Sequence, residues 1–177
     1  MRNETHHISE AAMVSLDTLL DQAESNARRI LVGTREELMP VWVILNEEDE
    51  ATIAGTPWHN DDEKIVLMAA MQEEMRKMGA TAYVVTIEYW FTDMPFAYTS
   101  KIDPMNFRPL VMPRNDPKRR EGIVFQACNK AESRIRTCEI LRDKKGRCAE
   151  LKRLDGAQDK FEGPMVRNLL LAGEKLH

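Results

Sequence analysis

Residues 81–91 read Thr-Ala-Tyr-Val-Val-Thr-Ile-Glu-Tyr-Trp-Phe, and this stretch decides the fold. In an extended chain Tyr83, Val85, Ile87, Tyr89 and Phe91 fall on one side, and Ala82, Val84, Thr86, Glu88 and Trp90 on the other. A period of two through β-branched and aromatic residues predicts a long strand, and such a strand needs a sheet around it. Just upstream, Gly79 is a helix stop, and residues 61–78 are the helix it stops. Asn60 is the natural cap, Asp61, Asp62 and Glu63 fill the first turn, and Arg76 and Lys77 the last, all matching the helix dipole. Ile65, Met68, Ala69, Gln72 and Met75 make one face, and the stripe of Leu67, Met68, Met71, Met75 and Met78 reads as core.

Further upstream, Val41–Leu45 is apolar on both faces and follows Pro40, which predicts a strand that is central or covered on both sides. The next four residues of charge, Glu47, Glu48, Asp49 and Glu50, lack the alternating ligands and central glycine of a calcium loop and read as a solvated turn. Ser9 caps a predicted helix over 10–31, with Met13, Leu16, Leu20, Ala23, Ala27 and Ile30 as a narrow apolar stripe. The stripe packs on the chain's own sheet, or pairs with the same helix of another subunit; its shortness favours the sheet. Gly33 ends this helix, and Thr34 with Glu37 has capping-box spacing for one turn over 35–38.

Downstream, strands are predicted over 122–128, 134–142 and 147–154, joined by 129–133 and by the hairpin turn Asp143-Lys144-Lys145-Gly146. They form an antiparallel meander. Pro164 opens a short last helix over 165–172. The expected fold is therefore one α+β domain over 1–177 with a loose tail at 1–8. Its mixed or antiparallel sheet has about five strands, with two long helices and a short C-terminal helix covering one face.

Composition excludes several classes. With 43% hydrophobic and 31% charged residues the chain can build a core and is not intrinsically disordered. A net charge of -4 gives no global attraction to nucleic acid or to an anionic membrane. Cys128, Cys138 and Cys148 are too few and odd in number for a disulfide framework, so a reducing compartment is expected, with one buried thiol on each meander strand rather than a metal site. Neither a secretory signal nor an apolar run of membrane-spanning length is present, which predicts a cytoplasmic protein with no membrane partner.

Candidate chemistry is sparse. Glu88 is a carboxylate in an apolar strand, and burying it costs free energy unless it is paired. Glu139, Glu150 and Lys152 include a Glu-x-Lys of the kind that binds a divalent ion and a phosphate in metal-dependent nucleases, but the preceding Pro-Asp element is missing. One hairpin register sets Glu139 against Glu150, which calls for a cation; another sets it against Lys152, a plain ion pair, and this is the preferred register. His6, His7, His59 and His177 form no ligand spacing, and no triad, phosphate loop or zinc-protease motif occurs, so neither metal nor cofactor is assigned.

Residues 92–121 differ in kind. Pro95, Pro104, Pro109, Pro113 and Pro117 oppose regular structure, yet Phe96, Tyr98, Phe107, Leu110 and Met112 are too apolar for a solvated linker. Such an arm docks on its own domain, on another subunit or on another protein. It ends in Arg114, Lys118, Arg119 and Arg120, a basic cluster able to hold phosphate or nucleic acid, for which a solvated loop face is the preferred account.

Residues 58–64 (Trp-His-Asn-Asp-Asp-Glu-Lys), the 79–90 run ending Ile87-Glu88-Tyr89-Trp90, and Asp116-Pro117-Lys118-Arg119-Arg120-Glu121 resemble a group of small phage and bacterial proteins with no assigned activity. The resemblance spans about 58–154 and draws attention to Glu88 and Trp90 without implying a mechanism. The expected function is a non-enzymatic interaction or assembly module, working through the arm as a homo-oligomer or with another protein. A metal-dependent phosphodiesterase using the strand carboxylates and a nucleic-acid-binding accessory protein are the alternatives.

Overall fold

The structure, a computed structural model, describes residues 14–58, 61–91, 102–103, 108–109, 117–154 and 168–170. Two helices, α1 Leu16–Leu31 and α2 Asp61–Lys77, flank a sheet built from β1 Val41–Leu45, β2 Ala51–Gly55, β3 Ala82–Phe91, β6 Arg120–Asn129, β7 Ser133–Arg142 and β8 Cys148–Arg153. The strand order is β2-β1-β3-β6-β7-β8 and every pairing is antiparallel. A separate ribbon pairs β4, Ile102–Asp103, with β5, Arg108–Pro109. The chain is thus α+β, with the expected meander formed by β6, β7 and β8.

The sheet has six strands where about five were expected, because β2 escaped the sequence reading. Its Ala-Thr-Ile-Ala-Gly has two alanines and a glycine, which have low strand propensity, and pairing with β1 overrides this. The acidic residues 47–50 are the exposed turn of this β1–β2 hairpin. Asn46 organises it, its Oδ1 accepting from Glu48 N at 3.1 Å and from Glu50 N at 2.8 Å.

The helices lie on opposite faces, not on one. On one face α1 seats Leu16, Leu19, Leu20, Ala23, Ala27 and Leu31 against Val84, Ile123, Phe125, Cys138, Ile140 and Leu151. On the other, α2 packs Met68, Met71 and Met75 with Trp42, Tyr83, Val85, Ile87 and Val124. The reason is visible in β1. Its Trp42 and Ile44 serve one cluster and Leu45 the other, so both sides need cover. Each fully buried leucine contributes about 1.5–3 kcal/mol. The α2 face is extended by residues 168–170, where Leu169 is buried and its N–H donates to the Tyr83 hydroxyl at 3.2 Å. The predicted helix over 165–172 falls mostly outside the described residues, and 168–170 do not form one.

Three local expectations are corrected. Helix α1 begins at Leu16, capped by Ser15, whose Oγ accepts from Thr18 N at 3.1 Å, while the predicted cap Ser9 and the stripe residue Met13 lie outside the described residues. Ile30 is exposed, and Leu19 and Leu31 fill the stripe instead. No turn of helix forms over 35–38. There Val32 bridges Cys148, Gly33 N–H donates to the Cys148 carbonyl, and Cys148 N–H donates to the Thr34 carbonyl. These tertiary bonds outweigh a capping box.

Candidate functional site

At one end of the sheet the ladder thins. Strand β1 pairs only with residues 82–86 of β3, whereas β3 and β6 pair along their full lengths, to Phe91 opposite Arg120. The pairing of β6 with β7 stops at Gly122 opposite Glu139. Beyond that pair the two strands part, and an open cleft of about 610 Å³ lies between them, lined by Trp90, Arg119, Arg120, Glu121, Glu139 and Arg142 among others. Two ion pairs cross it: Arg142 to Glu121 at 2.5 Å and Arg120 to Glu139 at 3.3 Å. Gly122 lets the strands approach the aromatic side of this end, since a Cβ there would sit 2.9 Å from the Tyr89 ring.

The two sheet faces carry different chemistry here. Trp90, 41% exposed, lies on the α1 side with Arg119 stacked on its ring at 4.5 Å. Arg120 stacks on Phe91 at 4.5 Å on the other side. Beside Trp90, a hollow of about 110 Å³ is lined by Glu37, Glu88, Glu121 and Arg142 among others. Glu88 is half-buried, and its Oε1 accepts from Leu38 N at 2.8 Å. Burial pushes its carboxyl above the ordinary range, helped by the charges of Glu37 and Glu121 and opposed by the Leu38 N–H and Arg142.

The four candidate carboxylate and lysine positions do not converge. Glu88 pairs with Ile123, which belongs to the α1-side core. Glu139 pairs with Gly122, and Gly122 with Tyr89, so Glu139 lies on the α2 side. Paired residues share a face, and Glu150 and Lys152 lie opposite Leu141 and Glu139 on that same side. Glu139 therefore faces Lys152, the preferred register, while its own ion pair runs to Arg120. Among the described residues no group of three His, Cys, Asp or Glu side chains is placed to hold a metal ion.

In the basic cluster Arg119 and Arg120 stack on rings, and Lys118 and Arg119 are exposed. Arg114 lies outside the described residues, as do Phe96, Tyr98, Phe107, Leu110 and Met112. Within the arm, the pairs Ile102–Pro109 and Asp103–Arg108 show that the chain reverses, so its prolines do not abolish regular pairing altogether. Cys128, Cys138 and Cys148 are buried and free, with Cys128 on the α2 side and the other two on the α1 side. Burial and the Glu24 charge push the Cys138 thiol up to about 11.

One feature went unread in the sequence. Glu24 is buried at the α1–meander interface and holds three guanidiniums: Arg28 at 2.7 Å, Arg136 at 3.0 Å and Arg153 at 2.7 Å. Asp17 and Asp21 add ion pairs to Arg134 and Arg136. The signal was present as an acidic row, Asp17, Asp21 and Glu24, at helical spacing, facing the alternating Arg134 and Arg136 of one strand.

The class that the fold defines is a three-layer α+β protein with an antiparallel sheet between two helices. Comparison with family models, with curated proteins and with solved structures finds no match to this chain. No helix among the described residues is long and apolar enough to cross a membrane.

Proposed function

We propose that the chain is a non-enzymatic protein-interaction or assembly module, and that its contact surface is the 92–121 arm together with the sheet end from which it springs. One observation carries this reading. The arm leaves from Phe91 and returns at Arg120, direct partners in the central ladder, and this root presents a half-exposed Trp90 with Arg119 stacked on it. Tryptophan and arginine dominate the energetics of protein contacts. The apolar arm side chains Phe96, Tyr98, Phe107, Leu110 and Met112 supply the remaining surface, about 1.5–3 kcal/mol for each one fully covered. The partner is another subunit or another protein, and nothing in the reading calls for a cofactor.

The test replaces residues 93–118 by Asn-Gly, a two-residue turn suited to a hairpin between adjacent antiparallel strands. Light scattering should give a wild-type mass above the 20.4 kDa of one chain and a lower mass for the variant, with the sheet's circular dichroism kept. A folded variant with unchanged mass overturns the reading.

A further inference from the structure

The two edges of the sheet are built differently. At β8 the edge is closed at its first residue by Val32 and the backbone bonds of Gly33 and Thr34, and farther along it carries exposed Glu150, Lys152 and Arg153. Charged side chains and covering segments are the usual means of stopping one sheet edge from adding to another. At β2, the outermost described strand on the other side, the residues are Ala51, Thr52, Ile53, Ala54 and Gly55, with no charge, no proline and no shift in register. Ile53 is 72% exposed, and further exposed apolar side chains stand nearby in sequence at Met39, Ile65 and Val66.

The open hydrogen-bonding groups can be assigned. Thr56 N–H donates to the Pro40 carbonyl, and Asn46 N–H donates to the Glu50 carbonyl. With the register Val43 opposite Ile53, the residues bonded to β1 are therefore Glu50, Thr52, Ala54 and Thr56. In an antiparallel ladder the alternate residues point the other way, so Ala51, Ile53 and Gly55 present their N–H and C=O groups outward.

We propose that β2 pairs antiparallel with β2 of a second copy of this chain, about a twofold axis at Ile53, and so joins two sheets into one. That axis is singled out because it sets Ile53 against Ile53 and Ala51 against Gly55, giving every outward group of the strand a partner. Thr52 then faces Ala54, and Glu50 faces Thr56, so no like charges meet. A twofold interface must be self-complementary in this way. The inference does not depend on the arm.

The experiment measures solution mass across concentration for the full chain and two variants. Wild type should reach at least twice 20.4 kDa. Ile53→Pro removes an outward N–H and leaves the β1 ladder intact, so it should lose the pairing while keeping its circular dichroism. Ile53→Cys should form a covalent dimer under mild oxidation, since paired Cα atoms at about 5.5 Å suit a disulfide and the native thiols are buried. The same treatment of Glu150→Cys should not. A wild-type chain that is monomeric throughout, as when a segment of the same chain covers the edge, overturns the proposal. So does an Ile53→Cys chain that cross-links no better than Glu150→Cys. If Ile53→Pro keeps the wild-type mass while the arm replacement lowers it, the edge proposal falls and the arm reading stands; the converse pattern separates them the other way.

Discussion

Replacing Glu24 by Gln keeps the shape of a buried side chain and removes the charge that fastens α1 to the meander. Glu24 Oε1 accepts from Arg28 Nε and Nη2 at 3.0 and 2.7 Å, and Oε2 accepts from Arg136 at 3.0 Å and Arg153 at 2.8 Å. Hydrogen bonds to a charged group contribute about 1.5–3 kcal/mol each when buried. Arg28 and Arg153 are 39% and 53% exposed, so their share is screened, whereas Arg136 is 16% exposed. The glutamine also turns an amide donor towards one guanidinium. The expected loss is about 2–3 kcal/mol, below the full cost of opening a wholly buried pair. Urea unfolding at neutral pH reads it. The pH dependence gives a second check. Burial alone raises the Glu24 carboxyl, but bonds from Arg153 and Arg28 outweigh this and hold it below the usual 4.5. Its stabilisation is therefore complete above the unfolded-state value and is lost as pH falls through the lower folded-state value. Wild type and variant should converge in acid. A loss below about 0.5 kcal/mol at neutral pH, in the range of ordinary surface changes, refutes the reasoning, as does a difference that persists in acid.

Glu88→Gln should act oppositely: the folded carboxyl titrates above its unfolded value, so stability falls as pH rises between the two, and the neutral variant should be the more stable at neutral pH. Chemical denaturation at acid and neutral pH reads this, and a variant weaker than wild type at neutral pH would count against it. Gly122→Ala should cost about 1–3 kcal/mol, because its Cβ would lie 2.9 Å from Tyr89 and 3.0 Å from Phe91 ring atoms. A thermal midpoint unchanged from wild type would contradict that. Arg142→Ala should speed amide exchange at residues 120–122 by releasing Glu121, while exchange in the β3 core stays as it was. Uniform exchange across the sheet would show that the ion pair does not hold the cleft.

Much of this was legible wherever periodicity and tertiary demand agree. Residues 81–91 alternate cleanly and form β3, and Val41–Leu45, apolar on both faces, sits between two strands with cover on each side. The even spacing of Cys128, Cys138 and Cys148 is one thiol on each of three successive strands. What failed had no local signal. Ala51–Gly55 is a strand because β1 offers it a ladder, and 35–38 forms no helical turn because Cys148 takes the backbone bonds of Gly33 and Thr34 and Glu88 that of Leu38. Glu88 and Glu139 each read as candidates, but side matters more than identity. Only the register shows that Gly122 puts Glu139 with Tyr89 while Ile123 takes Glu88 to the other face.

The unequal ladders explain why the arm belongs where it is. Beyond Thr86, β3 has no β1 partner, and beyond Gly122, β6 has no β7 partner, so both strands run on as a two-stranded tongue. Such a tongue is marginal alone and needs ties to the body. Ile87 holds it by burial in the α2-side core, and polar ties include Leu38 N–H to Glu88, Arg142 to Glu121 and Arg120 to Glu139. One polar tie runs to the segment before β1 and two run to β7 across the cleft. The root of the insertion thus presents Trp90 and Arg119 at the rim of an open cleft crossed by two ion pairs.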